Sequence, residues 1–356
     1  MVIIPAMMTL SMTMSFLLAL APSPARAQST ATLRGLDVYR STVLTREKAK
    51  ELFGKRIAEI VVLRNHRRPA STEKAEVIRK EIEREAAKIP GVAYAGLTLT
   101  EYFTSVDHAM YVTFDIVDES DRGRLAFAPA PKRNTTDPEG LLAAWKAYYE
   151  LGSALTRRGQ MPVDRPDCPG FYCLWGAATP ELDELQKKFV AGAQSKEREL
   201  RTVLAHEADA DKRAAALFVL SYGTRGEKVI ESCLAALKDP SPVVRGAGLQ
   251  ILADIINHRK DLRVDADAIV PLLDDPSGSA RSKTLGLLVP MVDDEKSRDK
   301  ILSAAPRLVD ILKLSEPGSH DLAYTVLGQL SKKTYDRRDY ASWEKWVLEN
   351  AEGLKK

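Results

Sequence analysis

Three stretches of the chain repeat one pattern. Arg213–Leu220 (RAAALFVL), Arg245–Leu252 (RGAGLQIL) and Arg281–Leu288 (RSKTLGLL) all read Arg-x-x-small-Leu-x-x-Leu, 32 and then 36 residues apart. Six residues before the second and third arginine stand Asp239-Pro240 and Asp275-Pro276, with Glu207-Ala208 in the first copy. An apolar stretch precedes each copy: Leu200–Leu204, Val229–Leu237 and Ile269–Leu273. A period in this range marks a supersecondary unit that cannot bury its own apolar face and must stack on its neighbours. The spacing predicts helical hairpins. The small fourth residue lets helices approach, the two leucines face a shared core, and Asp-Pro separates one helix from the next. Each Arg is expected to pair with the Asp of its own or an adjacent repeat. A fourth copy, Leu302–Leu330, departs: Glu316-Pro317 replaces Asp-Pro and Ala323 stands where Arg is expected.

These residues resemble HEAT and HEAT-like (bilin-lyase-type) repeats. The tail from Thr334 to Trp346 is similar to the closing segment of bacterial HEAT-like proteins, with Trp343, Trp346 and Val347 sharing one helix face. The resemblance implies an α-solenoid over 181–356 with a C-terminal cap, whose extended surface grips other proteins. The signature residues are Arg213, Arg245, Arg281, Asp239 and Asp275. The second helices of the hairpins would supply the contacts, with Arg245, Gln250, Lys283 and Gln329 as candidates.

Residues 28–127 read as a small α+β domain. A helix is expected from Thr45 to about Phe53, and the apolar run Ile57–Leu63 suits a buried strand. Ser71 or Thr72 can cap a helix whose apolar face is Ala75, Ile78, Ile82, Ala86 and Ile89, ended by Pro90-Gly91. Strands follow at Ala93–Phe103 and His108–Val117, joined by a hairpin at Ser105-Val106-Asp107. The alternation around Met110, Val112, Phe114 and Ile116 has an edge-strand look. The helix ending Ile89-Pro90-Gly91-Val92, with its hairpin, resembles the polypeptide-transport-associated (POTRA) domains of envelope proteins over about 65 residues. One helix is missing relative to that family. Residues 128–180 read as a linker carrying a helix, Gly140–Leu155, with an aromatic stripe expected to pack rather than bind ligand.

The first 27 residues hold one charge, Arg26, an apolar core Phe16–Ala21 and an Ala25-Arg26-Ala27 cleavage pattern. They read as a signal peptide cleaved near Ala27, although no Lys or Arg precedes the core. Pro5, Pro22 and Pro24 argue against a membrane span. The mature chain is expected in the periplasm or secreted. There an oxidised Cys168–Cys173 bridge is expected around the turn Pro169–Tyr172, a redox-active pair being the alternative. Cys233 reads as a core residue.

Catalytic chemistry is hard to find. Of the five histidines, no two are spaced as metal ligands on one helix, and His206-Glu207 does not continue to H-E-x-x-H. There is no nucleophile elbow and no phosphate-cradling glycine loop. Hence no catalytic, cofactor or metal residue is assigned. The net charge is +3 from 52 basic and 49 acidic residues, no footprint for nucleic acid. The expected function is a non-catalytic protein-binding scaffold of the bacterial cell envelope. The alternatives are a lyase-type enzyme accessory, from the repeats alone, and an adaptor that pairs a partner strand along the α+β domain, testable by Pro at Val112.

Overall fold

The computed structural model describes residues 30–65, 68–103, 107–161 and 168–351. The expected signal peptide, His66 and Arg67, and the hairpin residues Ser105 and Val106 lie outside the described residues. The chain is mainly helical, with a three-stranded sheet near its N-terminus. No helix among the described residues is long and apolar enough to cross a membrane.

The sheet is built from β1 (Ala31–Tyr39), β2 (Val92–Phe103) and β3 (His108–Asp118), in the order β1-β3-β2. β3 runs parallel to β1 and antiparallel to β2. The parallel pair requires a crossover, supplied by α1 (Arg46–Asn65) and α2 (Pro69–Ala86). Ile57–Leu63, expected as a strand, lies inside α1. Its buried residues Ala49, Phe53, Ile57, Ile60 and Val61 recur at helical spacing, which the unbroken apolar run conceals. The strand of that region is β1 instead. α2 starts at Pro69, before the expected caps, because Pro is pre-organised for the first helical turn.

β3 is the central strand, not an edge. Met110, Val112, Phe114 and Ile116 enter a core with α1 and α2, while Thr113, Asp115 and Val117 are buried on the opposite face. Partner-strand pairing along Val112 is therefore closed: both sides of β3 are already hydrogen-bonded.

A second, larger core runs from Leu141 to Val347 and also takes in Tyr39. It starts with α3 (Leu141–Arg157) and α4 (Pro180–Ser195), where Trp145, Tyr148, Phe189, Phe218 and Tyr222 make ring contacts. Hairpins follow. α5 (Glu197–His206) packs on α6 (Ala210–Leu220), and α7 (Gly226–Ala236) on α8 (Pro242–His258). The short α9 (Ala266–Ile269) with a 3₁₀ turn, Val270–Asp274, packs on α10 (Gly278–Met291). After α11 (Glu295–Ser303), α12 (Ala305–Leu312) packs on α13 (Pro317–Ser331). The second helices touch in succession, α6 on α8, α8 on α10, α10 on α13. α14 (Tyr340–Ala351) closes over α12 and buries Trp343, Trp346 and Val347.

Candidate interaction surface

The repeat motif places a buried ion pair at the first two steps between second helices, α6 to α8 and α8 to α10. Arg213 donates through Nε and Nη2 to Asp239 at 2.8 and 2.7 Å, and Arg245 likewise to Asp275 at 2.6 and 2.8 Å. Nη1 of each turns back to the two carbonyls that open its own helix: Glu207 and Ala208 for Arg213, Asp239 and Pro240 for Arg245. The same carboxylates accept the backbone N–H two residues on, Ser241 from Asp239 and Ser277 from Asp275, both at 2.7 Å. Arg213 and Arg245 thus each pair with the Asp that precedes the second helix of the next hairpin. A planar, five-donor guanidinium suits this fork; an ammonium, with three donors on one atom, cannot make all four of these bonds.

The third arginine has no such Asp ahead of it. Arg281 pairs with Asp115 of β3, which also accepts the Gly278 N–H at 3.2 Å, and its guanidinium lies 3.9 Å from the Tyr39 ring centre. Burial pulls the Arg281 pKa down, but Asp115, Tyr39 and Asp275 acting together hold it above the ordinary value. In α13 the N-cap is itself acidic, Glu316, and Tyr102 of β2 bonds to it. Counted from the N-caps Asp209, Ser241, Ser277 and Glu316, the position of Arg213, Arg245 and Arg281 falls on His320, not Ala323.

The other end of the series is closed by the linker. Glu207 has no preceding arginine; the Thr135 N–H and hydroxyl both donate to it at 2.6 Å, and the Asp209 N–H at 3.0 Å. Burial would raise its pKa, but these donors hold it down at about 2. Between these ends the linker follows the inter-helix turns, with Ala128 N–H on Lys238 O at 2.8 Å and Phe127 4.0 Å under Arg245. The sheet covers the later turns. Tyr39 Oη donates to Leu273 O at 3.1 Å, Arg40 pairs with Asp274, and Asp37 accepts the Ser315 N–H at 2.7 Å. The turn edge of the helical stack is therefore occupied by the chain's own N-terminal third.

This decides where the candidate binding residues stand. Arg245 is 1% exposed and bound on every side, so it is no surface contact; its charge is spent inside the stack. Gln250 Nε2 donates to Tyr172 Oη at 2.6 Å and anchors the disulfide loop. Gln329 is half-buried on α13, its Oε1 without a partner and its carbonyl facing Arg298. Lys283 is half-buried on α10 and pairs with no carboxylate among the described residues; burial lowers its ammonium pKa. It lies beside Gly246 of α8, and one turn on Gly286 has open space where a Cβ would point. On α8, α10 and α13 the charged Asp, Glu, Lys and Arg side chains reaching solvent are Asp254, Lys283 and Asp321. The outward face of three adjacent helices is thus nearly free of charge, with one cation near its middle.

The Cys168–Cys173 bridge is formed and Cys233 is buried and free. Among the described residues no His, Cys, Asp and Glu gather as a metal site. Clefts of about 570 and 660 Å³ lie over α5 and beside the disulfide. What the structure adds beyond sequence reading is Asp115, Tyr39 and Thr135, none of which carries a local motif, and the linker partner of Glu207. No family model, no curated protein and no solved structure matches the chain.

Proposed function

We propose that this chain is an exported, non-catalytic HEAT-like repeat scaffold that binds other proteins in the bacterial cell envelope. The observation that carries the reading is the recurrence of one arginine fork at successive helix steps, Arg213 on Asp239 and Arg245 on Asp275, with the same atoms in the same roles. A pattern conserved along the chain in three dimensions is what a stacked repeat needs, and such stacks present a long surface. The order strand-helix-helix-strand-strand supports the POTRA-like reading of the N-terminal module, because it contains the helix that the sequence reading lacked. The disulfide is compatible with an oxidising compartment.

The face of α8, α10 and α13 is the docking surface in this reading, since the turn edge is already covered. The test places a photo-cross-linking residue at Gly286, where an added Cβ meets nothing within 4 Å. A control site at Lys146 lies on α3, away from the face. Cross-linking in the native envelope should give a discrete protein adduct from position 286, lost in Lys283→Glu, and none from 146. Absence of any adduct from 286 overturns the scaffold reading.

A further inference from the structure

We propose that the Cys168–Cys173 bridge is a thiol–disulfide exchange site, opened at Cys168 by a dithiol reductant, that controls how the loop 168–173 is anchored to the helices. The two sulfurs differ in access. Cys168 is exposed, whereas Cys173 is 1% exposed. Attack is in line with the sulfur–sulfur bond, so only an approach to Cys168 is open, with Cys173 as the leaving group. The leaving sulfur has a donor waiting: Gln186, 2% exposed, points Nε2 at Cys173 Sγ from 3.4 Å. An N–H bond to the charged form favours that form where burial opposes it. A mostly apolar cleft of about 660 Å³ opens beside Cys168, walled by Pro169, Ala177, Val190 and Ala191. It offers room for the segment that carries the attacking thiol.

The step balances. A thiolate of the reductant bonds to Cys168 Sγ, the Cys168–Cys173 bond breaks, and its electron pair leaves on Cys173 Sγ, which is then protonated. The second thiol of the same reductant attacks its own partner sulfur in the mixed disulfide and releases Cys168. The dithiol becomes a disulfide, and its two electrons and two protons end on the two cysteines. The loop is short, so its closure contributes little chain entropy, and opening it acts locally. What it controls is concrete. Phe171 N–H donates to Ser221 O at 2.8 Å, the Phe171 ring lies 4.7 Å from the Arg259 guanidinium, and Tyr172 Oη accepts from Gln250. These three contacts tie the loop to the α6–α7 turn and to α8.

The experiment treats the full folded chain with reduced glutathione, quenches with an alkylating agent and maps the adducts by mass spectrometry. Glutathione should appear on Cys168 with Cys173 alkylated. Gln186→Leu should slow exchange about tenfold, the value of one hydrogen bond to a charged group. Reduction by dithiothreitol should raise amide exchange at Phe171 at least tenfold while the α10 amides stay protected. Glutathione on Cys173, or a bridge that resists until the chain unfolds, overturns the proposal. So does an unchanged Phe171 amide after reduction. If Gln186→Leu does not fold, the adduct map of the natural sequence still decides.

Discussion

A buried guanidinium is costly unless every N–H finds an acceptor, and removing one partner of such a pair costs far more than the pair contributes. That asymmetry explains why Arg213 and Arg245 each hold a carboxylate and two carbonyls together. The same logic applies to Glu207, a buried anion with no arginine, kept charged by three short-range donors. Its carboxyl titrates near 2 in the folded chain against 4.5 ordinarily. A depressed folded pKa gives stability that is present above 4.5 and lost as pH falls towards 2. Thr135→Val removes the hydroxyl donor and should cost about 1–2 kcal/mol at pH 6. The gap between variant and natural chain should narrow below pH 4 in urea melts. A gap that does not change with pH would contradict this account of Glu207. The Arg–Asp pairing was legible in the sequence because both residues belong to the repeat. The partner of Arg281 was not, because Asp115 lies 166 residues upstream in a strand with no shared motif.

At the scale of elements, the fourth position of the repeat shows what local pattern does and does not reveal. Gly248 faces α7 so closely that a Cβ would stand 3.0 Å from the Cys233 carbonyl and 3.4 Å from the Ala236 Cβ. Gly286, also inside a helix, has open space in the same test. Glycine in a helix ordinarily costs about 1 kcal/mol relative to alanine. Gly286→Ala should therefore raise stability by about 1 kcal/mol, and Gly248→Ala should lower it or give no gain. Equal effects of the two changes, measured by thermal or denaturant unfolding, would rule out the close approach of α7 and α8. The small residue at Gly248 was readable as a packing position from its register. The helix α1 was not readable over Ile57–Leu63, because an unbroken apolar run satisfies strand and helix alike. Only the placement of Phe53, Ile57, Ile60 and Val61 in one core separates the two.

Taken whole, the molecule is a helical stack whose turn edge is covered by its own sheet and linker. Asp115 joins the two parts, pairing with Arg281 and accepting the Gly278 N–H. Asp115→Ala leaves Arg281 buried without an anion and should cost about 3–5 kcal/mol. All four tryptophans lie outside the sheet and its helices, so their fluorescence follows the stack while far-UV circular dichroism follows the whole chain. In the natural sequence the two signals should unfold together; in Asp115→Ala the circular dichroism should begin to fall earlier. Adding Arg281→Met should recover part of the lost stability, since an apolar pair needs no counter-ion. A double variant no better than Asp115→Ala would show that the sheet is held by other contacts. The sequence by itself determined the mainly helical class, the period of the hairpins, the aspartates that meet Arg213 and Arg245 and the Cys168–Cys173 bridge. Each of these follows from residues close in the chain or repeated along it. Only the tertiary structure decided that β3 is central, that Arg245 is interior and that the turn edge is occupied. Those outcomes depend on which faces meet across long chain separations, and burial between distant segments leaves no periodic trace in either one.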